Sequence, residues 1–247
     1  MATQMTAALN WTTGEQSGCM IVTVRGRLEL ALAHLLQGAL QKCLAEQPAA
    51  LLADLSRMSL AEETALSVFT EVHRQAAIWP GTPMLLCGAR PEVAGLLSRH
   101  RYGGLQVRGD VDSAVHEVTR DGVVVPMITD QLLPLSGAAR HARDLATEAC
   151  ARWGLPELIG PASVVVTELV TNAAEHAGTM MTLQLVRRSR YLHVAVRDGS
   201  ARPPEARLPE ENRLDRGRGL LLVDSLAADW GWLPTRDGKV VWATLAL

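Results

Sequence analysis

Glu168, Asn172, Glu175 and His176 stand close together in the apolar stretch SVVVTELVTNAAEHAG, Ser163–Gly178. At about 100° per residue they fall within an arc of about 100° on a helix. Val166, Leu169, Val170, Ala173 and Ala177 cover the neighbouring face. A carboxylate one turn before an amide suits a particular chemistry. The Asn172 amide oxygen could serve Mg2+, an ion that takes few protein oxygens and leaves other positions to water and phosphate. Glu168 would then stand where it can take a proton from an attacking hydroxyl or water. A solvated outer face explains the same pattern, and the helix by itself does not decide.

Two further places carry polar groups where packing alone would not put them. In YLHVAVRDGS, alternation sets Leu192, Val194 and Val196 on one side of a strand, and Asp198 falls on that same side. A carboxylate directed at an apolar layer needs a donor. It either caps the turn made by Gly199 and Ser200 or accepts from a ligand amino group, such as the exocyclic amine of adenine. In RGRGLLLV, Gly217 and Gly219 open a helix. Free backbone N–H groups and the positive end of the dipole suit a phosphate there, and ordinary turn formation explains the glycines as well. The preceding ARPPEARLPEENRLDR is long, polar and proline-rich, which fits a lid over a ligand. Neither a Walker A loop nor a dinucleotide G-x-G-x-x-G occurs.

These groups sit in a chain built to fold. Of 247 residues, 48% are hydrophobic and 20% charged, with a net charge of −2, a core-forming composition for one large domain or two ordinary ones. Acidic and basic residues balance in both halves, so no nucleic-acid footprint appears, and no polybasic or amphipathic segment predicts a membrane anchor. Cys19, Cys43, Cys87 and Cys150 are scattered, which predicts buried reduced thiols. The N-terminus lacks a secretory pattern and no apolar run reaches 18 residues, so a cytoplasmic protein is expected. Only two lysines, against many arginines and alanines, suggest a GC-rich bacterial genome.

The two halves have different rhythms. In the first, short apolar runs (CMIVTVRGRLEL, ALLADLS, PMLLCG, GLQVR) alternate with helical patterns, which predicts an α/β fold with a largely parallel sheet over residues 1–124. In the second, residues 125–247, two long helices precede the strands MTLQLVRRS and YLHVAVRD. A glycine-started helix and a final hairpin turning at Asp237-Gly238 follow. That order predicts an α+β layer fold, with a mixed, mainly antiparallel sheet and helices on one face.

Taken together, TELVTNAAEHAG, VAVRDGS, GRGLLLVDSLAADWG and GKVVWATL resemble, in order, the ATP site of the GHKL superfamily (the Bergerat fold), and most closely its anti-sigma-factor serine kinases. The resemblance spans nearly all of Leu132–Leu247. It implies Glu168 as catalytic base, Asn172 as Mg2+ ligand, Asp198 as the holder of adenine, and Gly217, Arg218 and Gly219 closing on the phosphates. It also implies Thr244, on the last strand, as a support for Asp198. His141 and His176 lie inside the ATPase-like segment, so neither matches the phosphoaccepting histidine that kinases of this superfamily carry on a separate helix. One departure stands out: the superfamily has Asp-x-Gly where this chain has Asp198-Gly199-Ser200.

Residues from about 10 to 122 resemble a STAS domain, the fold of anti-sigma-factor antagonists, through VRGRLELALAHLL and ADLSRMSLAEETALSVF. Where that family holds Asp-Ser-Ser-Gly this chain has Glu62, Glu63, Thr64 and Ala65, leaving Thr64 at the acceptor position. Ser59 to Glu62 also reads as a capping box at a helix start, with Glu63 favourable in the first turn. The alternative is an acidic pair that imitates a phosphorylated surface. The combined resemblance implies an ATP- and Mg2+-dependent protein serine/threonine kinase. Its substrate would be a STAS-type antagonist and its target a sigma factor or comparable regulator, and a homodimer is compatible with it. The other readings are a nucleotide-binding pseudokinase whose output is partner affinity and a purely structural adaptor with a decayed pocket.

Overall fold

The computed structural model describes residues 9–102, 104–120, 125–204 and 219–247. The chain divides into two compact units, Met1–Val123 and Val124–Leu247.

The first unit is a five-stranded sheet in the order β1-β2-β3-β4-β5. β1 (Asn10–Gln16) pairs antiparallel with β2 (Cys19–Leu28), and β2, β3 (Ala50–Leu60), β4 (Met84–Cys87) and β5 (Gln106–Arg108) run parallel. Between them come α1 (Leu30–Ala45), α2 (Ser67–Ile78), α3 (Pro91–Leu97) and, closing the unit, α4 (Val111–Arg120). Parallel neighbours need crossovers, and the alternation of strand and helix supplies them. Ala50 and Leu52 pack with Ala114 and Val115 of α4. Leu51 and Ala53, on the opposite side by alternation, are equally buried. β3 is thus covered on both faces, as a parallel strand requires. The predicted parallel sheet is present, with β1 added at one edge. β1 is largely exposed and, Trp11 apart, without a large apolar side chain, so no apolar alternation announces it.

The second unit is a five-stranded sheet in the order β6-β7-β8-β10-β9. Its strands are β6 (Met127–Leu132), β7 (Met181–Arg187), β8 (Tyr191–Asp198), β9 (Asp229–Pro234) and β10 (Lys239–Ala246). Every pairing among the described residues is antiparallel. One face carries α5 (Ala138–Arg152), α6 (Ile159–His176) and α7 (Gly219–Leu226). Ala142, Ala146, Val165, Val166, Leu169 and Val223 of these helices share a core with Leu183, Val194, Val196, Val241 and Ala243 of the sheet. The small residues of α5 face α6 and let the two helices lie close together. The expected α+β layer fold is realised. All four cysteines are buried and none forms a disulfide. Among the described residues, no helix is long and apolar enough to cross a membrane.

Candidate functional site

The helix face of the second sheet sets the site. In the β8–β10 register, Leu192 pairs with Leu245, Val194 with Ala243, Val196 with Val241 and Asp198 with Lys239. The first three pairs lie in the core under the helices. Alternation therefore carries Asp198 and Lys239 onto the same face, at the end of the row. Asp198 is 4% exposed and Lys239 3%. The donor that the buried carboxylate requires comes from the chain itself. Lys239 Nζ donates to Asp198 Oδ1 at 2.9 Å and lies 2.9 Å from Oδ2, and it also reaches the Ser200 carbonyl at 3.3 Å. The Ser200 N–H donates to Oδ1 at 2.8 Å, so Asp198 caps its own turn as well. Oδ1 thus takes both directed bonds. Oδ2 sits beside the ammonium but out of line for a hydrogen bond, and none reaches it among the described residues.

The backbone around this pair is tightly drawn. Gly199 N–H donates to Thr179 Oγ1 at 2.9 Å, tying the end of β8 to the segment that follows α6. A β-carbon on Gly238 would overlap the Asp198 carbonyl oxygen and press on Gly199. Glycine is therefore needed in the β9–β10 turn for β10 to reach Asp198 at all. Gly238→Ala is expected to cost about 1–3 kcal/mol, the usual penalty for forcing an added carbon into a packed site. A denaturant melt of the full chain measures it.

α6 brings the other candidates to this layer. It packs against α5, α7, β7, β8 and β10. Its apolar stripe of Val165, Val166, Leu169, Val170 and Ala173 is buried, while Glu168 and Asn172 are half-buried and Glu175 and His176 exposed. The polar arc is therefore graded, with its two chemically interesting members nearest the interior. Burial, and after it the charge of Glu175, pushes the Glu168 carboxyl above its ordinary range. The Asn172 amide has no hydrogen-bond partner among the described residues. The first residue of α7 comes directly against Glu168, because a β-carbon on Gly219 would overlap its carboxylate. The structure thus joins Glu168 to the glycine-started helix, two features far apart in sequence. Gly217 and Arg218 lie outside the described residues, as does most of the expected lid.

Thr244 is placed elsewhere. It pairs with His193 and Asp229, five positions along β10 from Lys239 and on the opposite face of the sheet. Its hydroxyl donates to the Asp229 carbonyl at 3.1 Å. It cannot support Asp198, and the residue that does is Lys239. His141 Nε2 lies 2.6 Å from Asp130 Oδ2, an exposed contact away from Asp198 and Glu168.

In the first unit, Thr64 is exposed on a 3₁₀ turn, Glu63–Leu66, that precedes α2. The capping box is not formed. Ser59 still belongs to β3, its hydroxyl donates to the Gly26 carbonyl at 3.3 Å, and Glu62 makes no side-chain cap bond. The acidic pair is also unequal. Arg99 Nη1 donates to both Glu63 oxygens at 3.0 and 3.2 Å, and Arg101 pairs with the same carboxylate. Hydrogen bonding from Arg101 chiefly holds that carboxyl below its usual range. Tyr102 Oη donates to the Glu63 carbonyl at 2.8 Å. Glu63 therefore fastens this turn to the segment after α3, and of the pair Glu62 alone has no charged partner among the described residues.

Comparison with known proteins agrees with this division. The STAS domain family matches residues 10–117, and the histidine kinase-like ATPase domain family matches residues 134–245. No curated protein sequence matches the chain. Among solved structures, an anti-sigma factor antagonist from Mycobacterium paratuberculosis is similar over 45% of this chain and 95% of its own, at 20% identity and a TM-score of 0.38. The anti-sigma factor antagonist SpoIIAA in its unphosphorylated form is similar over 47% of this chain and 99% of its own, at 12% identity and a TM-score of 0.38. A sulfate transporter family protein from Wolinella succinogenes covers 42% of this chain and 88% of its own, at 22% identity and a TM-score of 0.37. The chain thus carries a STAS domain over residues 10–117, followed by a histidine kinase-like ATPase domain over residues 134–245.

Proposed function

We propose that this chain is an ATP-binding regulatory switch of the partner-switching kind, in which the C-terminal domain phosphorylates a serine or threonine of a STAS-type antagonist. It would thereby control sigma-factor-dependent transcription in a bacterial cytoplasm. One observation carries the reading: Glu168, with its raised pKa, lies against the first residue of α7. That juxtaposition puts a proton acceptor beside a helix terminus suited to phosphate. The donors fit Mg2+-ATP. The Asn172 amide oxygen is half-buried and unengaged among the described residues, and Asp198 keeps an acceptor oxygen on the helix side of the sheet. Bound Mg2+ would offset phosphate charge. Glu168 would take the proton of the incoming hydroxyl, and the α7 terminus would orient the phosphates. Positioning would supply most of the rate.

A second reading, a nucleotide-responsive binding module without phosphoryl transfer, is favoured by the departure at Asp198-Gly199-Ser200, where the Ser200 N–H turns back onto Asp198 Oδ1. Thermal melts with Mg2+-ATP test both. Ligand at about a hundred times its dissociation constant adds about 2.7 kcal/mol of stability, so a rise of several degrees is expected, and Asn172→Ala should abolish it. Radiolabel passing from ATP to a separate STAS protein supports the kinase. A melting rise without transfer supports the binding module, and no rise at millimolar nucleotide discards both.

A further inference from the structure

Lys239 is one of only two lysines in the chain, and it is almost wholly buried against the carboxylate that the ATPase reading assigns to adenine. Its ammonium donates where an exocyclic amine would donate, to the side chain of Asp198. We propose that Lys239 is an internal competitor of the nucleobase, holding Asp198 until its ammonium swings away and so setting the threshold for nucleotide binding. The inference rests on the nucleotide-binding reading above and adds a residue that controls it.

Three features of the geometry support this role. The pair is fixed by register, since Lys239 is the cross-strand partner of Asp198, and Gly238 lets the turn close directly onto the Asp198 backbone. Oδ1 is already engaged by two donors, Lys239 Nζ and Ser200 N–H, so a base meets a carboxylate already half satisfied. Lysine, unlike arginine, is a compact charge on a flexible four-carbon stem and can leave the carboxylate by rotation. While the pair persists, the binding-competent state is a minor one. Apparent affinity then falls by the fraction that is competent.

The test is calorimetric titration of Mg2+-ADP into the full chain and into Lys239→Met, which keeps the length of the stem and removes the charge. Binding at least tenfold tighter in Lys239→Met is expected. Equal or weaker binding in the variant, with the wild type binding measurably, overturns the competitor role and leaves the nucleotide reading standing. If Lys239→Met does not fold, Lys239→Gln takes its place: a neutral donor holds the carboxylate less firmly, and binding tighter than wild type is again expected, with equal or weaker binding overturning the proposal. Folded proteins that all fail to bind at millimolar ADP overturn the competitor role and the nucleotide reading together. Binding by the variant alone supports the competitor in its strongest form.

Discussion

Replacing Asp198 with alanine should destabilise the C-terminal unit by about 3–5 kcal/mol, because it leaves a buried ammonium without its counter-charge. Lys239 is 3% exposed, and the other oxygen it reaches, the Ser200 carbonyl, lies at 3.3 Å. Neither a carbonyl at that distance nor the surrounding apolar layer can replace the ionic partner. The same principle predicts what repairs the damage. Asp198→Ala combined with Lys239→Met removes both charges, and an apolar pair in a packed site is often as stable as the ion pair it replaces. The double variant should therefore be more stable than Asp198→Ala alone. The difference is the coupling between two side chains that share one contact. Denaturant melts of the full chain, with hydrogen exchange on β8 and β10 to assign the transition, give the numbers. A loss below about 1 kcal/mol for Asp198→Ala would show that the ammonium finds water, and the buried pair would then be an ordinary surface one.

The residues of this site were unequally visible before the fold was known. The Glu168–Asn172 spacing and the valine-side position of Asp198 follow from helical and strand periods alone, and the structure keeps both faces. Lys239 was invisible as the partner of Asp198. β8 and β10 are joined through α7 and β9, so no hairpin rule links their register. Thr244 was misplaced for a related reason. Val241, Ala243 and Leu245 on one face of β10 alternate with Val240 and Trp242 on the other, and both sets are buried. A strand apolar on both faces gives alternation nothing to report. At the turn Glu63–Leu66 a local signal lost to a tertiary one. Ser59 and Glu62 had the spacing of a capping box, but β3 runs through Leu60 because its pairing with β2 extends to Leu28. β6 alternates in burial at every residue, but one of its three more buried positions is the polar Asp130, so it declares itself through its ladder with β7 rather than through composition.

Glu168→Gln is expected to lower phosphoryl transfer to a STAS substrate by about 10²–10⁴-fold, the range for removing a positioned general base. The amide keeps the length and shape of the side chain where Gly219 rests on it, so packing is preserved and the loss reports on the proton acceptor. The sign of the pH effect follows from the direction of the shift. Burial and Glu175 raise the Glu168 pKa in the folded state, so the folded protein holds the proton to higher pH than the unfolded chain does. Stability from this group is complete below the unfolded pKa, falls as pH rises through the folded one, and is lost above it. Glu168→Gln should therefore melt at or above wild type at pH 7, and lose that advantage below the ordinary carboxylate range. Wild-type transfer should decline on acidification at a higher pH than an unshifted carboxylate would give, and the residual activity of Glu168→Gln should lack that limb. A variant that melts higher while transferring less cannot owe its lost activity to a damaged fold. Full transfer by Glu168→Gln would instead remove the base from the mechanism and leave positioning by the α7 terminus as the source of rate.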